Sequence, residues 1–487
     1  MTAFAQARPG TAFRIHPRPR PVELGLLGIV AVAMVLGAAG LGATQRYRAA
    51  ISAGNTPTGL DFSPPDTRAL LVYLLVLLLV HVTFVLAGRR TDQVLLPTIG
   101  MLGGIGLLLM QRLPQDTVVQ SFGSLQLGLG QLQLGWLLIA LLVIAGLALG
   151  VRSDAWLRTY KYTWAAAGIG LLLLTFVFGS DVNGARLSLS IGPVSGQPSE
   201  LLKVILVVFL AGYLSENRAL LADESTRIGP IRLPPLPYLA PILAMLAIAL
   251  GIVVVQRDLG AALLFYTAFL ALLYVATGRP SYVVGGVLLF IAGSAVLYQL
   301  FGTVQVRVDN WLDPWRDPSG TGFQTIQALY AFGRGGILGT GLGAGLPTIG
   351  GRPPVPAIHT DYPLAALGEE LGLIGLLAVL GLYLVVVVRG LRIAASAHDD
   401  FRSLLAAGLA LVMGIQAFII AGGNLKLIPL TGITLPLISY GGSSLLANAV
   451  VVGLLIALSD RGIEPPPPPR DGGRVRRFRL RRARAAT

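Results

Sequence analysis

The sequence predicts an all-α, polytopic membrane protein of about twelve transmembrane helices, and three observations carry that prediction. Of the 487 residues, 54% are hydrophobic and only 12% are charged, about half the charged fraction of an ordinary soluble domain. Mean hydropathy is +0.73. Apolar runs recur from residue 24 to residue 458, each close to the ~17–25 helical residues that cross a hydrocarbon core. The chain has no cysteine, which removes disulfides, thiolate metal sites and cysteine nucleophiles.

Taken in order, the candidate spans are 24–43, 69–88, 94–110, 134–151, 163–178, 200–214, 239–255, 259–276, 283–301, 362–388, 404–422 and 433–458. The first follows Arg8, Arg14, Arg18 and Arg20 and lacks a small-residue cleavage pattern, so it reads as a retained span. The net charge of +14 is mostly topological. With the N-terminal segment 1–20 inside, 25 of the 37 Lys and Arg fall in inner segments and 11 in outer ones. Basic loops stay cytoplasmic, so both termini are expected in the cytoplasm. The basic tail, 461–487, follows a proline run and lacks the interleaved aromatics of a nucleic-acid site. It reads as a topogenic tail attracted to anionic membrane lipids, with no nucleic acid as partner.

Two polar concentrations interrupt the apolar pattern. The segment 302–362 is too long to be a simple connection and gathers Arg307, Asp309, Asp313, Arg316, Asp317, Arg334, His359 and Asp361 beside Trp311 and Trp315. Long ordered loops usually carry function. Its residues 323–332 predict a short amphipathic helix, and its Gly-rich stretch 333–351 allows close backbone approach to a ligand. The second concentration starts at Asn183 and ends in Glu200 and Lys203, spaced i,i+3 on one face of the next helix. Charges at a span entrance face a bundle interior or a watery cavity. The alternative is a helix start capped by Ser199 with a satisfied ion pair. Both concentrations fall on the extracytoplasmic face, so they can share a pocket.

Several motifs in fixed order then identify a relationship. They are NGAR at Asn183, QPSE followed by Lys203, QRDLG at Gln256, DPWRDPSGTGFQ at Asp313, AFGRGGILGTGLG at Ala331, HTDY at His359, GEELGLIG at Gly368 and PLISYGGSS at Pro436. With these the chain resembles the FtsW/RodA/SpoVE family, the SEDS proteins, and its RGLRIA and LIPLTG stretches look closer to the RodA-like branch. The resemblance implies a ten-helix core with three spans before the QPSE helix, whereas five precede it here. Two additional N-terminal helices are therefore expected within 21–110. The resulting division is a cytoplasmic segment 1–20, N-terminal helices in 21–160, a family-like core over 161–460 containing the loop 302–362, and the tail 461–487.

The resemblance implies a peptidoglycan glycosyltransferase of the bacterial plasma membrane that polymerises lipid II in cell elongation or division, with a class B penicillin-binding protein as partner. The chemistry needs a base for the acceptor hydroxyl, groups that neutralise a departing pyrophosphate, and a groove open to lipid. Inversion at the anomeric carbon needs no covalent intermediate, and one carboxylate suffices when the leaving group is already good. Asp361 matches the family aspartate and is the expected base; its alternative is an N-cap for the helix opening at Pro363. His359 either orients Asp361 or a phosphate or is a loop histidine satisfied by backbone, the more ordinary role. Arg186, Lys203, Arg257 and Arg334 are candidates for pyrophosphate or sugar, with Gln197, Ser199 and Glu200 beside them. On this reading Lys203→Ala weakens substrate use more than folding. Glu369 and Glu370 are either a cavity carboxylate plus a capping charge or both helix-dipole residues. A divalent cation, magnesium or manganese, suits a pyrophosphate, although no ligand cluster demands one. A lipid II flippase and a non-catalytic scaffold for the penicillin-binding protein are the rival functions; neither needs Asp361 as a base.

Overall fold

The computed structural model describes residues 17–54, 67–122, 124–182, 185–191, 194–222, 226–228, 231–233, 236–345 and 354–460. Most of the segment 1–20, the start of the NGAR motif at Asn183, part of the Gly-rich stretch and the tail 461–487 lie outside the described residues. The helices in order are α1 (Pro21–Ser52), α2 (Arg68–Leu86), α3 (Leu95–Arg112), α4 (Leu129–Gly150), α5 (Ala155–Thr159), α6 (Lys161–Phe178), α7 (Pro198–Ala222) and α8 (Leu236–Val255). They continue with α9 (Leu259–Thr277), α10 (Pro280–Leu300), α11 (Gly302–Leu312), α12 (Phe323–Gly335), α13 (Pro363–Ser396), α14 (Asp400–Asn424) and α15 (Gly442–Leu458). Among the described residues ten helices are long and apolar enough to cross a membrane. The two remaining predicted runs fall on α8, with 20 residues, and α15, with 17.

The last run departs from expectation in its first half. A helix was expected from residue 433, but α15 starts only at Gly442. Pro436 lacks the amide a helix needs, Leu437 takes left-handed backbone (φ 67°), and the segment folds as a loop that dips into the bundle. A Cβ at Gly106 of α3 would meet the Ile438 carbonyl, and one at Gly442 would meet the Trp136 ring. The glycines let that loop lie against α3 and α4. Strands also appear where none were predicted, all in loops. Antiparallel hairpins join β1 (Gln120–Phe122) to β2 (Leu125–Leu127) and β6 (Thr226–Ile228) to β7 (Ile231–Leu233). A three-stranded antiparallel sheet, β3 (Ser180–Val182), β4 (Ala185–Ile191) and β5 (Val194–Gly196), leads into α7, with Asp181 paired opposite Arg186.

Burial sorts the helices. In α3 and α14, 78% of the most apolar window is buried, and in α7 67%, whereas α10 buries none. The apolar run of α10 is therefore an outer helix facing lipid, and α3, α7, α14 and α15 form the interior. On the basic face, arginines that bias topology also join elements. Arg89 donates to Asp460 at 2.9 Å and Arg389 Nε donates to Asp92 at 2.8 Å, linking the α2–α3 connection to α13 and to the end of α15.

The Gly-rich stretch does not open towards a ligand where it is described; it closes on the chain itself. Helix α13 is interrupted at Gly372 (φ 65°, ψ −167°), and the freed backbone groups pair with the segment after α12. Thr340 N donates to Glu369 O at 2.9 Å, Gly341 N to Glu370 O at 3.0 Å, and Leu373 N to Gly336 O at 3.0 Å. A Cβ at Gly335 or Gly339 would strike the Gly368 or Glu370 carbonyl. Gly339→Ala is accordingly expected to destabilise the protein by about 1–3 kcal/mol through overpacking and its positive φ (81°), seen as earlier loss of monodisperse protein on heating. An unchanged melting profile would contradict this packing.

Candidate active site

The segment expected to be a loop over 302–362 is built from α11, a short turn and α12, ending in the HTDY residues. Helix α11 is amphipathic and lies over the turn after α14. Its Trp311 indole donates to the Lys426 carbonyl at 3.1 Å and its Arg307 guanidinium to the Thr431 carbonyl at 2.8 Å. Between them is a cavity of about 240 Å³ whose polar lining includes Arg307, Asn310, Gln324, Asp361 and Lys426.

Asp361 is held by its backbone. Its N–H donates to Ala357 O at 2.9 Å, and its carbonyl accepts from the Asn424 side-chain amide at 2.7 Å. The carbonyls of the two residues before it are held by the loop preceding α15. Ser439 Oγ donates to Thr360 O at 2.6 Å and Tyr440 N to His359 O at 2.8 Å. The PLISYGG and HTDY motifs are thus two halves of one support. Ala357 adopts positive φ (53°) to turn the chain, a strain tolerated where surroundings over-determine the backbone. Asp361 does not cap α13: the N-cap position is Tyr362, and no side chain caps it.

Electrostatically, burial pushes the Asp361 carboxyl above the usual carboxylate range, while a Thr360 hydrogen bond and the Arg307 charge pull it back. Burial likewise lowers the Arg307 guanidinium, and the charges of Asp258 and Asp361 restore part of the loss. Arg307 therefore sits within electrostatic reach of two carboxylates. Burial lowers the His359 imidazole; its Nδ1 is buried without a hydrogen-bond partner among the described residues, and its ring lies 6.2 Å from that of Tyr440.

The QPSE residues converge on Asp258. Gln197 Nε2 and Ser199 Oγ each donate to Asp258 Oδ2 at 3.0 Å, and Asp258 Oδ1 accepts from Ala261 N at 3.0 Å to cap α9. Ser199 serves this carboxylate rather than the start of α7. Burial raises the Asp258 carboxyl, and these three hydrogen bonds counter it. Arg257, its neighbour, is exposed on a left-handed turn (φ 65°). Glu200 and Lys203 do pair, at 2.7 Å, but Lys203 is 1% exposed and also donates to Gln416 at 2.7 Å and Asn448 at 3.1 Å. Its ammonium is fully occupied by protein.

Two further pairs form a separate cluster at the start of α13. Arg334 Nε donates to Glu369 at 3.0 Å, and Arg112 Nε lies 2.6 Å from Glu370. Both glutamates are buried ion-pair partners, neither helix-dipole charges nor liners of the Asp361 cavity. Arg186 is placed only by its backbone in β4; its side chain lies outside the described residues. Among the described residues no three His, Cys, Asp or Glu come together as a metal site.

Of the expected site residues, the structure puts Asp361 in the cavity and brings Gln197 and Ser199 to Asp258. Arg334, Glu369 and Glu370 stand in the other cluster. The sequence gives no role to Asp258, Asn424 or Lys426 and marks Arg307 only as one charge among several. The signal for Asp258 was present in QRDLG, where its arginine neighbour was chosen instead.

Known proteins resemble this chain over most of its length. The family model for FtsW, RodA and SpoVE, described as cell cycle protein, matches residues 93–462, leaving α1 and α2 outside the match. Peptidoglycan glycosyltransferase RodA of Mycobacterium tuberculosis is 42% identical over 387 residues, covering 78% of this chain and 81% of that protein. A protein named "Probable peptidoglycan glycosyltransferase FtsW" from Geobacter metallireducens is 37% identical over 326 residues, covering 66% and 83%. A solved chain from a peptidoglycan synthase complex, described as coordinating polymerization and crosslinking, superposes with TM-score 0.59 at 28% identity, covering 76% of this chain and 98% of its own. The rod shape determining protein RodA of Thermus thermophilus shares the fold, with TM-score 0.50 at 24% identity over 76% of this chain and 97% of that one.

Proposed function

Because this chain belongs to the FtsW/RodA/SpoVE family, we propose that it is a membrane-embedded peptidoglycan glycosyltransferase that polymerises lipid II with Asp361 as general base. The observation that carries the proposal is the cavity that joins Asp361, raised by burial, to the cations Arg307 and Lys426. In the step proposed, the acceptor sugar's 4-hydroxyl oxygen bonds to the donor's anomeric carbon with inversion, and the bond to undecaprenyl pyrophosphate breaks. The hydroxyl proton passes to Asp361. Arg307 and Lys426 meet the charge that appears on the departing pyrophosphate. A divalent cation, magnesium or manganese, would be held by the substrate's own pyrophosphate and would offset its charge; among the described residues no three His, Cys, Asp or Glu come together to ligate one. Both termini are cytoplasmic, and the Asp361 cavity faces outward, where a class B penicillin-binding protein receives and cross-links the strands.

Gln197 and Ser199 hold Asp258 and act through it on Arg307; they are positioning residues. The test is glycan-strand formation from lipid II by the purified protein with its penicillin-binding partner. Arg307 supplies a pH prediction as well. Its charge lowers the Asp361 carboxyl, so Arg307→Gln should let that carboxyl rise further and move the acid limb of kcat/KM to higher pH. The activity lost below the limb is that of the protonated base. An acid limb that stays in place, or moves down, would separate Arg307 from Asp361.

A further inference from the structure

Helix α1 lies outside the family-matched region, yet it builds a second cavity against the core. This cavity, of about 290 Å³, is almost wholly apolar and is lined by Ala33 and Gly37 of α1, Ile105 of α3, and Ala378 and Leu382 of α13. Its one charged boundary is Arg112 with Glu370. On α3 the lining runs from Met101 to Arg112. At 1.5 Å per residue this is about 16 Å, close to the depth of one leaflet of a ~30 Å hydrocarbon core.

The charged end is incompletely satisfied. Arg112 is 9% exposed, and its Nε faces Glu370, but its Nη2 has no hydrogen-bond partner among the described residues. A second cation stands nearby, since Arg48 of α1 donates to Gly345 O at 2.6 Å. Gly345 N in turn donates to Glu370 Oε1 at 3.3 Å. A buried guanidinium nitrogen without an acceptor is costly. An anion at the membrane interface, attached to an apolar chain one leaflet long, would supply the acceptor and fill the groove together.

We infer that this groove binds one anionic diacyl phospholipid, with an acyl chain between α1, α3 and α13 and its phosphate on Arg112. The site shares no lining residue with the Asp361 cavity, which separates it from the sugar-transfer substrate. It also gives α1 a role: the helix closes a lipid site that the core alone leaves open. Thr44 of α1 donates to Leu342 O at 2.9 Å, so lipid, α1 and the segment pairing with the start of α13 form one unit.

The test uses the full chain, purified in detergent and exposed to equal amounts of palmitoyl-oleoyl phosphatidylglycerol and the matching diacylglycerol, which lacks the phosphate, and in a separate mixture to phosphatidylglycerol and a polyprenyl phosphate, with bound lipid read by native mass spectrometry. One phosphatidylglycerol per protein should be retained, in preference to the diacylglycerol by at least about tenfold, as one charge-assisted hydrogen bond to the phosphate provides. Arg112→Gln should remove the preference. Ala378→Trp, at an exposed position of α13, should fill the groove and lower retention while the protein stays folded. Should Arg112→Gln fail to fold, Ala378→Trp decides alone. Equal retention of phosphatidylglycerol and the diacylglycerol, or undiminished retention by Ala378→Trp, overturns the inference. So does preferential retention of a polyprenyl phosphate over phosphatidylglycerol.

Discussion

Asp361→Asn is expected to lower glycan polymerisation by about 10²–10⁴-fold, the usual worth of a positioned general base, with insertion and folding intact. The size of the effect follows from how Asp361 is held. Its main chain is fixed by Asn424, with Ser439 and Tyr440 fixing the residues before it, and none of these contacts uses the Asp361 carboxylate. Asparagine preserves shape and backbone, so the loss isolates proton transfer. Burial also raises the carboxyl; an ionised base of higher pKa draws the acceptor proton more strongly, provided the pH stays above that pKa. The measurement is strand length and yield from lipid II at several pH values, beside a circular dichroism melt of both proteins. Polymerisation by the asparagine variant at the native rate would remove Asp361 from the chemistry. Lipid II translocation in vesicles with no polymer formed would instead favour a flippase.

How far the sequence carried this picture depends on the physical range of each interaction. Helices α1 to α4 and α13 were legible because apolar composition and length are local properties. The start of α15 was not, because Pro436 and Leu437 are held by partners far away in the chain: Tyr383 Oη reaches Pro436 O at 2.5 Å, and Gly106 accommodates Ile438. The same distinction governs the site. Asp361 stood out through its motif, but the cation facing it did not. Arg307 lies on α11, and only the turn after α14, through the Thr431 carbonyl, fixes where it points. Glycines in AFGRGGILGTGLG announced close approach correctly and concealed its object, which is the backbone of α13. Periodicity and motif reveal which residues are unusual; which of them meet is a long-range property.

Lys203 carries the second large expectation, and here the geometry reverses what its place in the QPSE motif implies. As a substrate ligand, Lys203 would need a free direction towards the cavity. Its ammonium is instead shared among Glu200 of α7, Gln416 of α14 and Asn448 of α15. The amide groups are pre-set for this role: Gln416 Nε2 donates to Thr434 O and Asn448 Nδ2 to Ser444 O, each at 2.9 Å, which turns both side-chain oxygens towards the lysine. Three interior helices therefore meet at one charge. Lys203→Ala leaves the largely buried Glu200 carboxylate (11% exposed) with only the Thr434 hydroxyl for a partner, and two buried amide oxygens without a donor; breaking a buried pair costs about 3–5 kcal/mol. A large loss of folded protein is expected, read as lower yield of monodisperse protein and an earlier melt. Pairing the change with Glu200→Gln should recover part of the loss, because the stranded charge is then gone. A Lys203→Ala protein that melts like the native chain while its KM for lipid II rises would return Lys203 to the substrate. Recovery by Glu200→Gln is the outcome a substrate ligand would not show.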